Sequence, residues 1–333
     1  MTRNDNESRQ TDTIAASSHE QNVGEITGKA RQRVNLLAFT IVGIFVFILV
    51  ILLLSGAYVY QKILAPAISI QATTIVDDVV DPESNNSIIT ETSDKDGMIL
   101  VFVQAGEFIM GNDSGSTAEK PAHNVYVDSF WIDRTEVTNA MYSKCVSDGK
   151  CPRPDSTNSN TREKYYGNSE FDNYPVIFVS WNSANIYCEW ANRRLPTEAE
   201  WEKAASWDEK NNRKITYPWG NRADCSLANY WAPEGGCVDD TTEVGSYESG
   251  KSPYGAYDMG GNVGEWVSSL YAPYPYKLID GRERGSSSAS DLRIVRGGAW
   301  YFPEDYMRVT YRSAPNHSLS NFSLGFRCAK DAE

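Results

Sequence analysis

The 333-residue chain holds only three histidines and six cysteines, and none of the cysteines form a CxxC pair. With no supporting histidine pair either, a zinc cluster is not expected. Cations are also in the minority: 31 Lys and Arg face 44 Asp and Glu, a net charge of −13. No basic stripe interleaved with aromatics occurs, and phosphate-backbone affinity needs clustered cations, so nucleic acid is not an expected partner. No internal repeat is evident. Beyond residue 60 only His123 and His317 remain, too few for an iron site built from His-rich motifs. No cysteine lies between Cys237 and Cys328. The stretch GGAWYFPEDYMRVTYR (297–312) has the glycines of a ligand-approaching backbone but no Cys, His, Ser or Lys.

Uninterrupted apolar sequence, by contrast, is present. Residues 34–60 run for 27 positions without a charge. As a helix the run would reach roughly 40 Å, more than a bilayer core requires and longer than the apolar part of a signal peptide. Lys29, Arg31 and Arg33 precede it while only Lys62 follows closely. The positive-inside rule therefore predicts a single-pass protein of the cell membrane, with residues 1–33 a disordered cytoplasmic tail and the rest extracytoplasmic. Residues 61–96, with seven acids and Pro82, read as an acidic tether.

All six cysteines follow the span, in a compartment that permits disulfides. Cys145 and Cys151 are near enough to clip one loop, and Cys225 and Cys237 another. Cys188 and Cys328 are then left to join distant segments.

The head, 97–333, reads as α+β with few regular elements. Residues 98–111 pattern as two strands around Ala105–Gly106, and 124–132 alternates like a further one. Thr138 caps a short helix, NAMYSKCV. Ser180 opens another, whose apolar face holds Trp181, Ala184, Tyr187, Cys188 and Ala191. Thr197 and Glu200 form a capping box ahead of a third. After residue 206 the chain is turn-rich but dense in Trp and Tyr.

Seven pieces of this head, in order, resemble the formylglycine-generating enzyme or sulfatase-modifying factor family: GEFIMG (106–111), DRTEVTNAMY (133–142), YPVIFVSWNSANIYCEWANRRLPTEAEWEKAA (174–205), YPWGN (217–221), GAYDMGGNVGEWV (255–267), RIVRGGAW (293–300) and LGFRC (324–328). The resemblance implies an irregular, C-type-lectin-like core and a disulfide between Cys188 and Cys328. It also implies a copper-dependent oxidase that converts a substrate cysteine into formylglycine, using two cysteines shortly after a GGS motif. In this sequence the Ser position is Ala299, the first Cys position Phe302, and the second falls near Met307. Copper is therefore not expected, because the soft ion requires thiolates.

The resemblance further implies calcium, held by the carboxylates of Asp258 and Glu265 and the carbonyls of Gly261 and Val263. A weaker second site would use Asn229, the Tyr230 carbonyl, and Asp239 or Asp240. Trp300, Arg308 and Arg312 would line a groove for an extended peptide; the competing reading buries the tryptophan and pairs the arginines with acids. The expected function is a membrane-anchored, non-catalytic, calcium-stabilised binding module. Its alternatives are an atypical formylglycine-generating oxidase and a ligand-display protein varying over 299–323.

Overall fold

The computed structural model describes residues 88–332 apart from 286, 287 and 289. The tail, the apolar run and the tether up to residue 87 lie outside the described residues. Among the described residues no helix is long and apolar enough to cross a membrane.

The head begins before residue 97, correcting the tether boundary. Strand β1 (Thr90–Thr92) pairs antiparallel with β2 (Ile99–Val103). Asp96, read as a tether acid, is buried against Arg193 and accepts the Tyr187 hydroxyl at 2.7 Å. β2 turns Leu100, Val101 and Val103 inward, and β3 (Gly106–Met110) follows the Ala105–Gly106 break. The alternating stretch expected as one strand is two, β4 (His123–Val127) and β5 (Phe130–Asp133). Asp128 and Ser129, turn-forming residues, separate them. β4 therefore returns along β3, while β5 joins β2 in a sheet of order β1-β2-β5-β13, with β13 (Ala329–Asp331) from the C-terminus.

Three helices form where the caps predict them. Helix α1 (Asn139–Ser147) starts at Thr138, whose hydroxyl accepts Met141 N–H. Helix α2 (Trp181–Trp190) starts at Ser180 and buries Trp181, Ala184, Tyr187 and Cys188. Helix α3 (Glu198–Ser206) carries the Thr197–Glu200 capping box, with both reciprocal bonds made. Two short hairpins, β6 (Trp207–Asp208) with β7 (Arg213–Lys214) and β8 (Trp231–Ala232) with β9 (Gly235–Gly236), punctuate the turn-rich region.

A second sheet places β10 (Gly264–Leu270) between β11 (Arg293–Arg296) and β12 (Leu324–Phe326). Its register sets Glu265 opposite Arg296 and Trp266 opposite Val295. One apolar cluster gathers β2–β5 around Trp201 of α3; another gathers α1 and α2 around Tyr142, Trp266 and Phe326.

All three expected disulfides form. Cys188–Cys328 ties α2 to the C-terminal strands across a sequence separation of 140, whereas Cys145–Cys151 spans 6 and Cys225–Cys237 spans 12. Chain entropy scales with the loop closed, so the long bridge is worth about 5 kcal/mol and the Cys145 bridge about 2 kcal/mol. Thermal unfolding of Cys188→Ala/Cys328→Ala should show a much larger fall in Tm than Cys145→Ala/Cys151→Ala. Equal falls would contradict this ordering.

Candidate functional site

The stretch after β11 forms a cleft because two glycines turn the backbone. Gly297 (φ 91°) and Gly298 (φ 71°) adopt left-handed conformations, and a Cβ on Gly298 would stand 2.8 Å from the Tyr306 carbonyl. The chain can thus fold back through a short 3-10 turn, Glu304–Met307. Trp300 N–H donates to the Asn262 carbonyl, and Trp231 N–H to the Phe302 carbonyl, both at 3.0 Å. These main-chain bonds fix the loop independently of most of its side chains.

The resulting cavity has a volume of about 130 Å³. Its walls include Tyr301, Phe302, Tyr306, Tyr311 and Leu319, with Ser313, Asn321 and Ser323 as polar points and no charged side chain. Phe302 and Tyr306 stack at 4.8 Å, Tyr306 meets Tyr311 at 4.6 Å, and Tyr301 touches Phe302 at 4.0 Å. Such neighbours brace one another beyond their area burial. Of the tyrosines in this wall the sequence reading weighs only Tyr301, as a core aromatic against a ligand platform; Tyr306 and Tyr311 are not singled out, although the aromatic density of 300–311 signals them.

The residues expected to line a groove lie elsewhere. Trp300 is buried against Tyr301 and Phe322. Arg312 is buried, bonded through Nε and Nη2 to Glu198 at 2.6 and 2.8 Å, and stacked over Tyr274. Arg308 bridges Asp305 and Glu119. Both arginines follow the ion-pair reading because burial demands a compensating carboxylate. Ala299 is buried, and Met307 packs with Tyr217, Ala228 and Tyr230 rather than facing the cleft. His123 is structural: Nδ1 bonds the Pro121 carbonyl and Nε2 accepts Tyr276 N–H.

The donor set does not fit copper. All six cysteines are bridged, and the cleft offers phenyl and phenol groups where the soft ion needs thiolates.

The calcium residues are brought together in part. Asp258 adopts a left-handed backbone (φ 56°) and accepts Gly245 N–H at 2.6 Å. Glu265 is buried, but its oxygens already accept Arg327 at 2.7 Å each and Trp201 Nε1 at 2.7 Å. A guanidinium so close opposes a second cation, so Glu265 is an ion-pair partner in this structure. A residue not singled out from the sequence joins Asp258 instead. Glu136, in the motif DRTEVTN, is fully buried; Oε1 accepts Asn262 Nδ2 at 3.0 Å and Oε2 has no donor.

Burial pushes the Glu136 carboxyl well above its ordinary range, with repulsion from Asp258 adding to it. Burial likewise raises Asp258, to about 6. With all three carboxylates ionised, Arg327 would leave an excess of two negative charges. That excess and the orphaned Glu136 oxygen fit a hard divalent cation through Glu136 and Asp258. No group of three His, Cys, Asp or Glu side chains converges for metal binding among the described residues. Carbonyl oxygens would have to complete the shell.

The second calcium set is brought together only in part: the buried Asn229 Oδ1 has no donor, but its carboxylate partner is already engaged. The Asp240 carboxylate lies 3.2 Å from Arg162 and accepts the Thr161 N–H and hydroxyl, each at 2.8 Å. Asn229 is buried and donates to the Asp240 carbonyl, and the Tyr230 carbonyl accepts Cys237 N–H. Asp239 is exposed. An internal arginine thus supplies the positive charge.

The fold and these motifs define a class. The sulfatase-modifying factor enzyme 1-like domain matches residues 86–332, and the chain belongs to that family. It is 35% identical over 254 residues to the serine/threonine-protein kinase pkn1 of Chlamydia pneumoniae, covering 70% of this chain and 38% of that protein. The chain thus spans under two fifths of that relative. It is 31% identical over 289 residues to the inactive C-alpha-formylglycine-generating enzyme 2 of Mus musculus, covering 70% and 86% respectively. Among solved structures, PvdO from Pseudomonas aeruginosa superposes with a TM-score of 0.59 at 24% identity, covering 73% of this chain and 98% of that one. This likeness shows the fold.

The Glu136–Asp258 pair makes stability depend on pH. An acid whose folded pKa is raised holds its proton more tightly in the native state. Its stabilising effect is full below the unfolded value near 4 and is lost as pH rises through about 6 for Asp258 and higher for Glu136. In chelator, Glu136→Gln should therefore stabilise the protein at pH 7.5 by about 1–3 kcal/mol, through the relief of a buried unpaired oxygen. The gain should shrink towards pH 4. A variant less stable than the parent at pH 7.5 would refute this account.

Proposed function

We propose that the chain is a membrane-anchored, extracytoplasmic and non-catalytic member of the sulfatase-modifying factor family, with its aromatic cleft serving to bind a ligand. The observation that carries the reading is chemical: every thiol is in a disulfide, and the cleft wall is built from Phe302 and tyrosines. An inactive relative within the same family makes loss of the oxidase chemistry on this scaffold a precedented outcome. The uncharged run 34–60 supports the anchor, and three disulfides support an oxidising compartment.

Incubating the purified chain with copper, oxygen and a CxPxR peptide is expected to yield no aldehyde. Robust aldehyde formation would replace this reading with the oxidase.

Calcium at Glu136 and Asp258 is part of the same proposal, as a stabiliser and not as a reactant. Calcium at a hundredfold excess over its Kd should stabilise the parent by about 2.7 kcal/mol and leave Glu136→Gln nearly unmoved. An unchanged Tm for both proteins would remove calcium from the reading.

A further inference from the structure

We infer that a groove on another part of the head binds a small aromatic acid, a fused-ring solute carrying one carboxylate. The groove shares no wall residue with the cleft, so the inference stands apart from the binding reading above. Its volume is about 460 Å³. That lies within the range of small-molecule sites and is about three times the size of an apolar cavity that accommodates benzene, near 150 Å³. Two rings and a carboxylate have room in it.

The walls favour flat rings. Trp207, Trp219 and Tyr254 contribute to them, beside Pro218 and Pro253. Two of these aromatics are held in place by the protein itself. Tyr217 stacks on Trp219 at 5.7 Å with the planes 10° apart, and Trp219 Nε1 donates to the Arg222 carbonyl at 2.8 Å. The Tyr254 hydroxyl donates to Glu209 at 2.8 Å. Both rings are half-buried, which leaves part of each open to a solute. Rings already fixed lose little freedom on binding, and ring-on-ring contact adds to area burial in a way an aliphatic chain cannot match.

The polar groups favour an acceptor. Both carboxylates on the walls are taken. Asp208 accepts Asn211 Nδ2 at 2.6 Å and Arg213 Nε at 3.3 Å; Glu209 accepts Tyr254 and lies 3.6 Å from Lys203 Nζ. Lys251 is paired with Glu248. Lys210 is exposed on the groove wall, and among the described residues its ammonium has no partner. Trp207 is only 3% exposed, and its Nε1 has no acceptor among the described residues. Unpartnered donors beside engaged carboxylates suit an acceptor-only group such as a carboxylate, and offer little to a hydroxyl-rich solute. Charge complementarity at Lys210 therefore sets the sign of the ligand.

Calorimetric titration of the full chain in lipid nanodiscs tests this, with empty nanodiscs as the blank. The probe is 2-naphthoate; 2-naphthalenemethanol keeps the rings without the charge, and octanoate keeps the charge without the rings. The naphthoate should bind about fivefold more tightly than either control. Lys210→Gln should weaken the naphthoate about threefold, with a shallower salt dependence, and leave the alcohol unchanged. Trp219→Ala should weaken both ring compounds about fivefold. Ser249→Trp, at an exposed position on the same walls, fills the groove and should abolish binding with Tm unchanged, so the test does not depend on Trp219→Ala folding. No heat above the blank would overturn the inference. So would equal binding of octanoate or of the alcohol, or an affinity for the naphthoate that Ser249→Trp leaves unchanged.

Discussion

The head is organised by guanidinium groups buried among carboxylates. Arg296 lies between Glu198 and Glu202 of α3 at 3.1 and 2.6 Å, Arg312 shares Glu198, and Arg327 grips Glu265 through two bonds. Each guanidinium also donates to main-chain oxygens, most of them in irregular segments: Arg296 to Val309 and Thr310, Arg312 to Ala118 and Ala272, Arg327 to Tyr257 and to Asp133 at the end of β5. A chain with so few regular elements must satisfy its buried carbonyls some other way. A rigid fork of five donors does this for several loops at once, provided that carboxylates neutralise it. Deleting one partner would leave a buried charge alone, a cost of about 3–5 kcal/mol.

That arrangement explains why the short elements were legible in the sequence and the site was not. Caps act locally, so Thr138, Ser180 and Thr197 mark their helices without reference to the rest of the chain. Disulfide partners could be narrowed by spacing and family likeness, and all three formed. Charged side chains are different, because their partners lie far away in sequence. Glu265 looks like a cation ligand until Arg327, 62 positions later, is brought against it. Arg312 looks like a groove residue until α3 presents Glu198, 114 positions earlier. Glu136 was inconspicuous for the same reason: its importance comes from Asp258 and Asn262.

The strand boundaries show a milder form of the same limit. An alternating pattern read continuously across Asp128–Ser129 conceals a change of partner, since β4 and β5 pair with different strands. The start of the head was misplaced because Thr90–Thr92 is a polar edge strand, and its pairing with β2 leaves little trace in composition.

The glycine pair at 297 and 298 has a consequence for how this scaffold can change. The cleft loop is pinned by its own peptide groups and by a backbone that needs no side chain at the bend. The positions that face the opening therefore share little of the work of keeping the loop in place, beyond the bracing of neighbouring rings. Ring systems standing where the family resemblance implies a sulfur pair change what the depression can hold.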